Sequence, residues 1–521
     1  MNFIKKFVKR LRNKLTRRSA APRVSEDDPR EPPPPATPLQ FPSCSPQGLP
    51  LDPSADLDVN KLFSLFGRTG PRPEYLRAFN ISVERDVECP HLVPAAFLPP
   101  ASWLNEFADP DSVPAVKSSL SNGYPAPGYR NFYGLAKEMI FNNTDAFKSV
   151  RRNPRTIGAR NPLPVSIINS RKFWNGLADM AEYWDTSLDH YSELTDDEND
   201  TMDIDEGSPD TRATNNRRTA TKQTYTGRRR DTGSKMPNRF REETVTGLVE
   251  VLARLFHCTL DNPTIQPKLQ IHNILIPLPY LRSLHRIPIN NQEARNGIKQ
   301  GPILGVLCRD QIKFREDTEA EGQGRTELLD LLKESGLLAL LAQRRAREGN
   351  PEVRSGENEW WTTQPRWGGG AGGEFGSSDE KPVGEEALPT AGSTAAASKK
   401  KTAKANRMEA GWRSLRPAPS LWEKNVVYQA VGKEKGSPHD DIYLISSVNH
   451  HISIVHARIH SRYIDHLTTK NPRQSTVLQE PWYELSIQHT KWFDLFLAND
   501  RIELLRGLWG VFSYMMRTTD D

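Results

Sequence analysis

Apolar residues recur at helical spacing along several stretches of the chain. Phe132, Leu135, Met139 and Ile140 share one face, and Trp174, Leu177, Met180, Ala181 and Trp184 share another. Val245, Leu248, Val249, Leu252, Leu255 and Phe256 predict a strongly amphipathic helix. From Glu327 to Arg347, Leu328, Leu331, Leu332, Leu338 and Leu341 predict a leucine-rich one. Val448, Ile452, Val455, Ile459 and Tyr463 step by four and three residues, which again predicts a helix. Leu504, Leu505, Leu508, Trp509 and Phe512 mark a last helix, with Asn499 or Asp500 as its cap and Glu503 reaching back. Two apolar runs read instead as strands: Leu269 to Leu278, and Gly301 to Cys308, the second apolar enough to be buried on both faces. Helix, strand, strand, helix predicts an α+β layer, so the expected fold is helix-rich α+β with a helical C-terminal part.

Polar and biased stretches interrupt these elements and suggest the organisation. Residues 1–57 combine a basic amphipathic segment with a Pro-rich tail, and 58–191 form a first ordered segment. An acidic block followed by a basic block makes 192–236 a disordered insertion. An α+β segment spans 237–367, a Gly/Ala/Lys-rich insertion 368–417, and a helical segment 418–521. The ordered segments are expected to pack as one composite core. Composition agrees with long unpacked stretches, since only 36% of the 521 residues are hydrophobic and 41 are proline.

Net charge is +5, a near balance of 70 basic and 65 acidic residues, so the segregation of charge matters more than its sum. The N-terminal stretch sets Phe3, Ile4, Phe7, Val8 and Leu11 among Lys5, Lys6, Lys9 and Arg10. It suits a nuclear signal, a mitochondrial presequence or a helix for an anionic membrane surface, with the nucleus favoured. The clusters Arg228-Arg229-Arg230 and Lys399-Lys400-Lys401 are candidate import or phosphate-contacting segments in predicted disorder. Trp360, Trp361 and Trp367 beside Arg366 read as anchors pinning an arm to the core. Cys44, Cys89, Cys258 and Cys308 are far apart, which excludes a zinc knuckle or CxxC motif and suits a reducing, intracellular setting. No apolar run approaches the roughly 20 residues of a membrane span.

Four of the twelve histidines lie in Asn449–His460. On a helix only His456 and His460 share a side, at the spacing of an HExxH motif, but Ala457 stands where its general base belongs. No metal site or other cofactor is therefore expected, with His456 and His460 as the nearest approach to one. A nuclease-type core would draw on Glu242, Glu243, Asp310 and Lys313, yet three residues separate Asp310 from Lys313, which puts them on opposite faces of a strand. Nucleophile elbows and dinucleotide fingerprints are absent.

The phrases YWDTSLDHY (from Tyr183), TGRRRDTGSKMP (from Thr226), WWTTQPRWGG (from Trp360), ISSVNHH (from Ile445) and TKWFDL (from Thr490) resemble a family of long, uncharacterised proteins of filamentous fungi. The resemblance spans most of the ordered chain, transfers no catalytic residue and implies an intracellular fungal setting. The expected function is a non-catalytic binding or scaffolding protein with a protein partner, and nucleic acid or an anionic membrane as further partners of the basic segments. The alternative is a metal-dependent hydrolase or nuclease-like enzyme.

Overall fold

The structure, a computed structural model, describes residues 35–46, 72–105, 119–151, 164–193, 223–225, 227–261, 266–271, 274–288, 290, 298–349, 427–468 and 481–519. Lys5, Lys6, Lys9, Arg10, the three tryptophans at Trp360, Trp361 and Trp367, and Lys399, Lys400 and Lys401 lie outside these residues.

A nine-stranded mixed sheet organises the fold. Its main path runs β4 (Cys258–Asp261), β7 (Arg282–Arg286), β8 (Ile298–Arg309), β10 (His439–Val448), β11 (His451–His460), β12 (Leu485–His489) and β1 (Ile81–Glu84). Two short strands, β9 (Val427–Gln429) and β13 (Phe493–Asp494), pair at the sides of β8 and β11. The strands β8 and β10 are parallel, with Tyr443 opposite Leu304, and the long helix α7 (Arg325–Ala346) lies between them in the chain. Outside the sheet, β2 (Tyr191–Glu193) pairs with β3 (Gln223–Tyr225), and β5 (Lys268–Ile271) with β6 (Ile274–Pro277). The fold is α+β with helices on both faces.

Each face carries its own core. On one, α3 (Tyr129–Met139), α4 (Asn143–Arg151), α5 (Arg171–Trp184), α6 (Asn238–Leu255) and α9 (Ala498–Met515) bury Phe132, Phe147, Trp174, Leu252 and Trp509 against Ile303, Ile445 and Ile454. On the other, α1 (Pro73–Ala78), α7, α8 (Ser461–Thr468) and the β5–β6 hairpin bury Leu76, Leu338, Leu341 and Tyr463 against Leu307, Leu444 and Val455. Alternation along β10 explains the division: Ile442 and Leu444 enter one core, Tyr443 and Ile445 the other. Both cores mix residues from before, between and after the two expected insertions.

The helices expected around Trp174, Val245 and Leu338 and at the C-terminus are present. Three expectations are corrected. Residues Val448–Ile459 are not a helix but the end of β10, a turn and β11; a strand buried on both faces shows no period-two signature, so its apolar residues can be fitted to a helix. Leu269–Leu278 folds as a hairpin rather than one strand. The helix α9 has no side-chain cap; Asp500 instead accepts the backbone N–H of Asp494 at 2.9 Å.

Candidate functional site

The register of the β10–β11 hairpin sets polar side chains next to each other on one face. Asp441 lies opposite Arg458, and Tyr443 opposite His456. Asp441, His456 and Arg458 put polar groups on this face beyond the core position of Tyr443, so it opens as a polar cleft of about 290 Å³. Its other walls are the short helix α2 (Cys89–Leu92), the loop carrying Lys433, Glu434 and Ser437, and the end of α9 with Tyr514 and Arg517.

A chain of hydrogen bonds crosses five elements beneath the cleft. Gln488 Nε2 on β12 donates to Glu84 Oε2 on β1 at 2.9 Å. The same amide presents Oε1 to His456 Nδ1 at 3.2 Å. His456 Nε2 lies 2.9 Å from Asp441 Oδ1, and Tyr514 Oη donates to Asp441 Oδ2 at 2.6 Å. The Tyr443 ring stacks on His456 with centroids 4.8 Å apart, and its hydroxyl donates to the Leu92 carbonyl at 2.8 Å. Burial alone would raise the Asp441 carboxyl; the hydrogen bonds from His456 and Tyr514 outweigh it and bring the pKa down to about 2. Both ring nitrogens of His456 are thus held within hydrogen-bond distance of side-chain oxygens, which fixes the ring between Asp441 and Gln488.

The charges of the cleft do not cancel. Asp440 is gripped by the buried Arg345, through Nε at 2.7 Å and Nη2 at 2.8 Å. Asp441 is held as described, and Glu434 faces Arg517 at 3.6 Å. Arg458 is exposed and, like Lys433, has no hydrogen-bond or ion-pair partner among the described residues. Each acidic group thus already has a hydrogen-bond or ion-pair partner, whereas Arg458, whose charge across the ladder also helps to lower Asp441, and Lys433 make no such bond among the described residues. Burial, then the charge of Arg458, holds the His439 imidazole below its ordinary value.

A second polar assembly lies in the interior. Arg309 on β8 meets Asp330 and Glu334 of α7 and Ser446 of β10. Glu334 Oε1 accepts from Ser446 Oγ at 2.6 Å, and Oε2 lies 3.2 Å from His489 Nε2. Burial would raise Glu334, but the charges of His489 and Arg309 hold its carboxyl well below the usual range. With Arg309 and Glu334 only 6% and 3% exposed, this is a sealed structural network.

The residues singled out in the sequence are placed as follows. His456 and His460 do not converge, since four residues along a strand span about 13 Å. His460 Nδ1 instead accepts the Arg462 N–H at 3.0 Å, and its ring packs edge-on against His439. Glu242 is paired with Arg282 at 2.7 Å, Asp310 accepts from Asn238 at 3.3 Å, and Lys313 faces Glu316 and Asp317. These side chains are engaged separately and build no metal-binding centre. Arg228, Arg229 and Arg230 are not in an unpacked segment. Arg229 is 4% exposed and forks onto Asp189, and Arg230 pairs with Glu182 at 2.6 Å, because the acidic residues of α5 and the turn after it lie alongside. Burial pushes the Cys44 thiol up to about 12 and Cys89 to about 11, and raises Cys258 and Cys308, so none of the four is poised as a thiolate. Asp441, Arg458, Tyr514 and Lys433 were not anticipated. Reading Asp441/Tyr443 and His456/Arg458 as alternate positions of one hairpin would have grouped the two strand walls of the cleft.

No described helix is long and apolar enough to cross a membrane. No protein family, curated protein or solved structure matches the chain.

Proposed function

We propose that the chain is a non-catalytic binding protein that holds a small anionic ligand, bearing phosphate or carboxylate groups, in the β10–β11 cleft. The observation that supports this most is the charge balance: every acidic side chain lining the cleft has a hydrogen-bond or ion-pair partner, whereas Arg458 and Lys433 make no such bond among the described residues. A guanidinium presents a planar fork of donors that fits a carboxylate or phosphate edge, and a neighbouring ammonium adds a point charge. The volume, about 290 Å³, suits a ligand of modest size. The engagement of both His456 nitrogens supports binding over catalysis. The four unpaired cysteines support an intracellular setting.

Isothermal titration with inorganic phosphate and with citrate tests the reading. Saturable binding to the full chain is expected, weakened at least tenfold in the Arg458→Ala/Lys433→Ala double variant and weakened by added salt. Absence of binding at millimolar anion, or equal binding by the variant, would contradict it.

A further inference from the structure

We infer that His450, His451 and Asp494 form a binding site for one divalent transition-metal ion of the zinc class, distinct from the cleft. One potential ligand atom from each residue lies within 4.8 Å of the others. Donors around a tetrahedral zinc with bonds near 2.0–2.1 Å stand about 3.3 Å apart, so modest side-chain rotations would close the site.

The backbone assembles the three residues before any ion arrives. Asn449 takes a left-handed conformation, φ 52°, in the tight turn that joins β10 to β11. Its side chain fixes that turn: Oδ1 accepts from Arg241 Nη2 at 2.7 Å, and Nδ2 donates to the Gln311 carbonyl at 2.9 Å. His450 and His451 follow directly, their ring centroids 4.2 Å apart. His451 pairs across the ladder with Asp494, and the Leu495 N–H donates to the His450 carbonyl at 3.0 Å.

Two features separate this cluster from ordinary aromatic packing. Nδ1 of His450, a residue only 9% exposed, has no hydrogen-bond partner among the described residues, and neither has Nδ1 of His451. A buried ring used only for packing leaves such a nitrogen desolvated without a partner, and a metal ion removes that cost. Asp494, moreover, has no lysine or arginine ion-pair partner among the described residues. Its Oδ1 accepts the Phe496 N–H at 2.8 Å, and its Oδ2 lies 3.9 Å from His451 Nε2, free to coordinate. The nearby Lys491 is committed to Asp500 and Glu503. Two nitrogens and one oxygen suit zinc or a similar ion, with water completing the sphere.

The test is equilibrium dialysis of the chelator-treated full chain against Zn2+, read by elemental analysis. One bound equivalent is expected, with affinity reduced at least tenfold in Asp494→Asn and in His451→Ala, and unchanged in His460→Ala and Arg458→Ala. No stoichiometric zinc, or full binding by both site variants, would overturn the inference. Because His451→Ala removes a packed ring, the unaltered chain loaded with Co2+ gives a second readout. Visible d–d bands without a near-ultraviolet thiolate band are expected. A thiolate band would place the metal on cysteine and sink the assignment.

Discussion

At the level of single residues, the described charges are mostly committed to one another, and this was hardest to read from sequence. Arg229 and Arg230 read as import or phosphate-contacting residues because Asp189 and Glu182 come well before them in the chain, and only the fold of α5 and its following turn brings the pairs together. The twelve-residue stretch with four histidines was conspicuous, but its partner Asp494 lies more than forty positions on and carries no local signature. Asp441 gives a prediction with a definite sign. Its folded pKa, about 2, is below the ordinary 3.8, so its contribution is complete above the ordinary value and disappears as pH falls through about 2. Asp441→Asn is therefore expected to cost about 2 kcal/mol at neutral pH, and the gap between wild type and variant should close under acid. Chemical denaturation at a series of pH values measures both. In the interior, Glu334→Ala removes the group that Arg309, Ser446 and His489 share. Breaking a buried pair from one side costs about 3–5 kcal/mol, visible as a lower urea midpoint with an unchanged slope.

At the level of elements, helices with one apolar stripe were legible and strands buried on two faces were not. The helices α5, α6, α7 and α9 show their stripe because large apolar residues recur on one side of each at helical spacing. The strands β10 and β11 feed both cores, so their alternation is hidden, and the one local clue to the hairpin is Asn449, a residue type tolerant of positive φ. Close contact between α5 and α6 depends on glycine. A Cβ on Gly247 would stand 2.8 Å from the Phe173 backbone nitrogen, inside contact distance. Gly247→Ala is expected to cost about 1–3 kcal/mol by forcing the helices apart, a loss that thermal unfolding would register. Replacing Leu508, fully buried in α9, by alanine should cost about 2–5 kcal/mol.

Across the whole molecule, one sheet joins distant parts of the chain. Ile81 pairs with Leu485 and Ile445 with Val306, so no single segment holds a complete set of strands. Cutting the chain at a protease site introduced between residues 351 and 426 should leave two fragments that elute as one particle in gel filtration and part only in denaturant. Separation of the nicked fragments under native conditions would count against a shared core. The same assembly makes the cleft, since β10, β11, α2, the loop carrying Lys433 and the end of α9 each supply a wall, and its excess of positive charge exists only when Arg458 and Lys433 are brought together. The most direct measurement of that excess is a crystal of the full chain soaked in selenate, with anomalous diffraction recorded at the selenium edge. The account predicts a peak between the Arg458 guanidinium and the Lys433 ammonium. An anomalous map with no density in the cleft, and selenate only elsewhere on the surface, would contradict it.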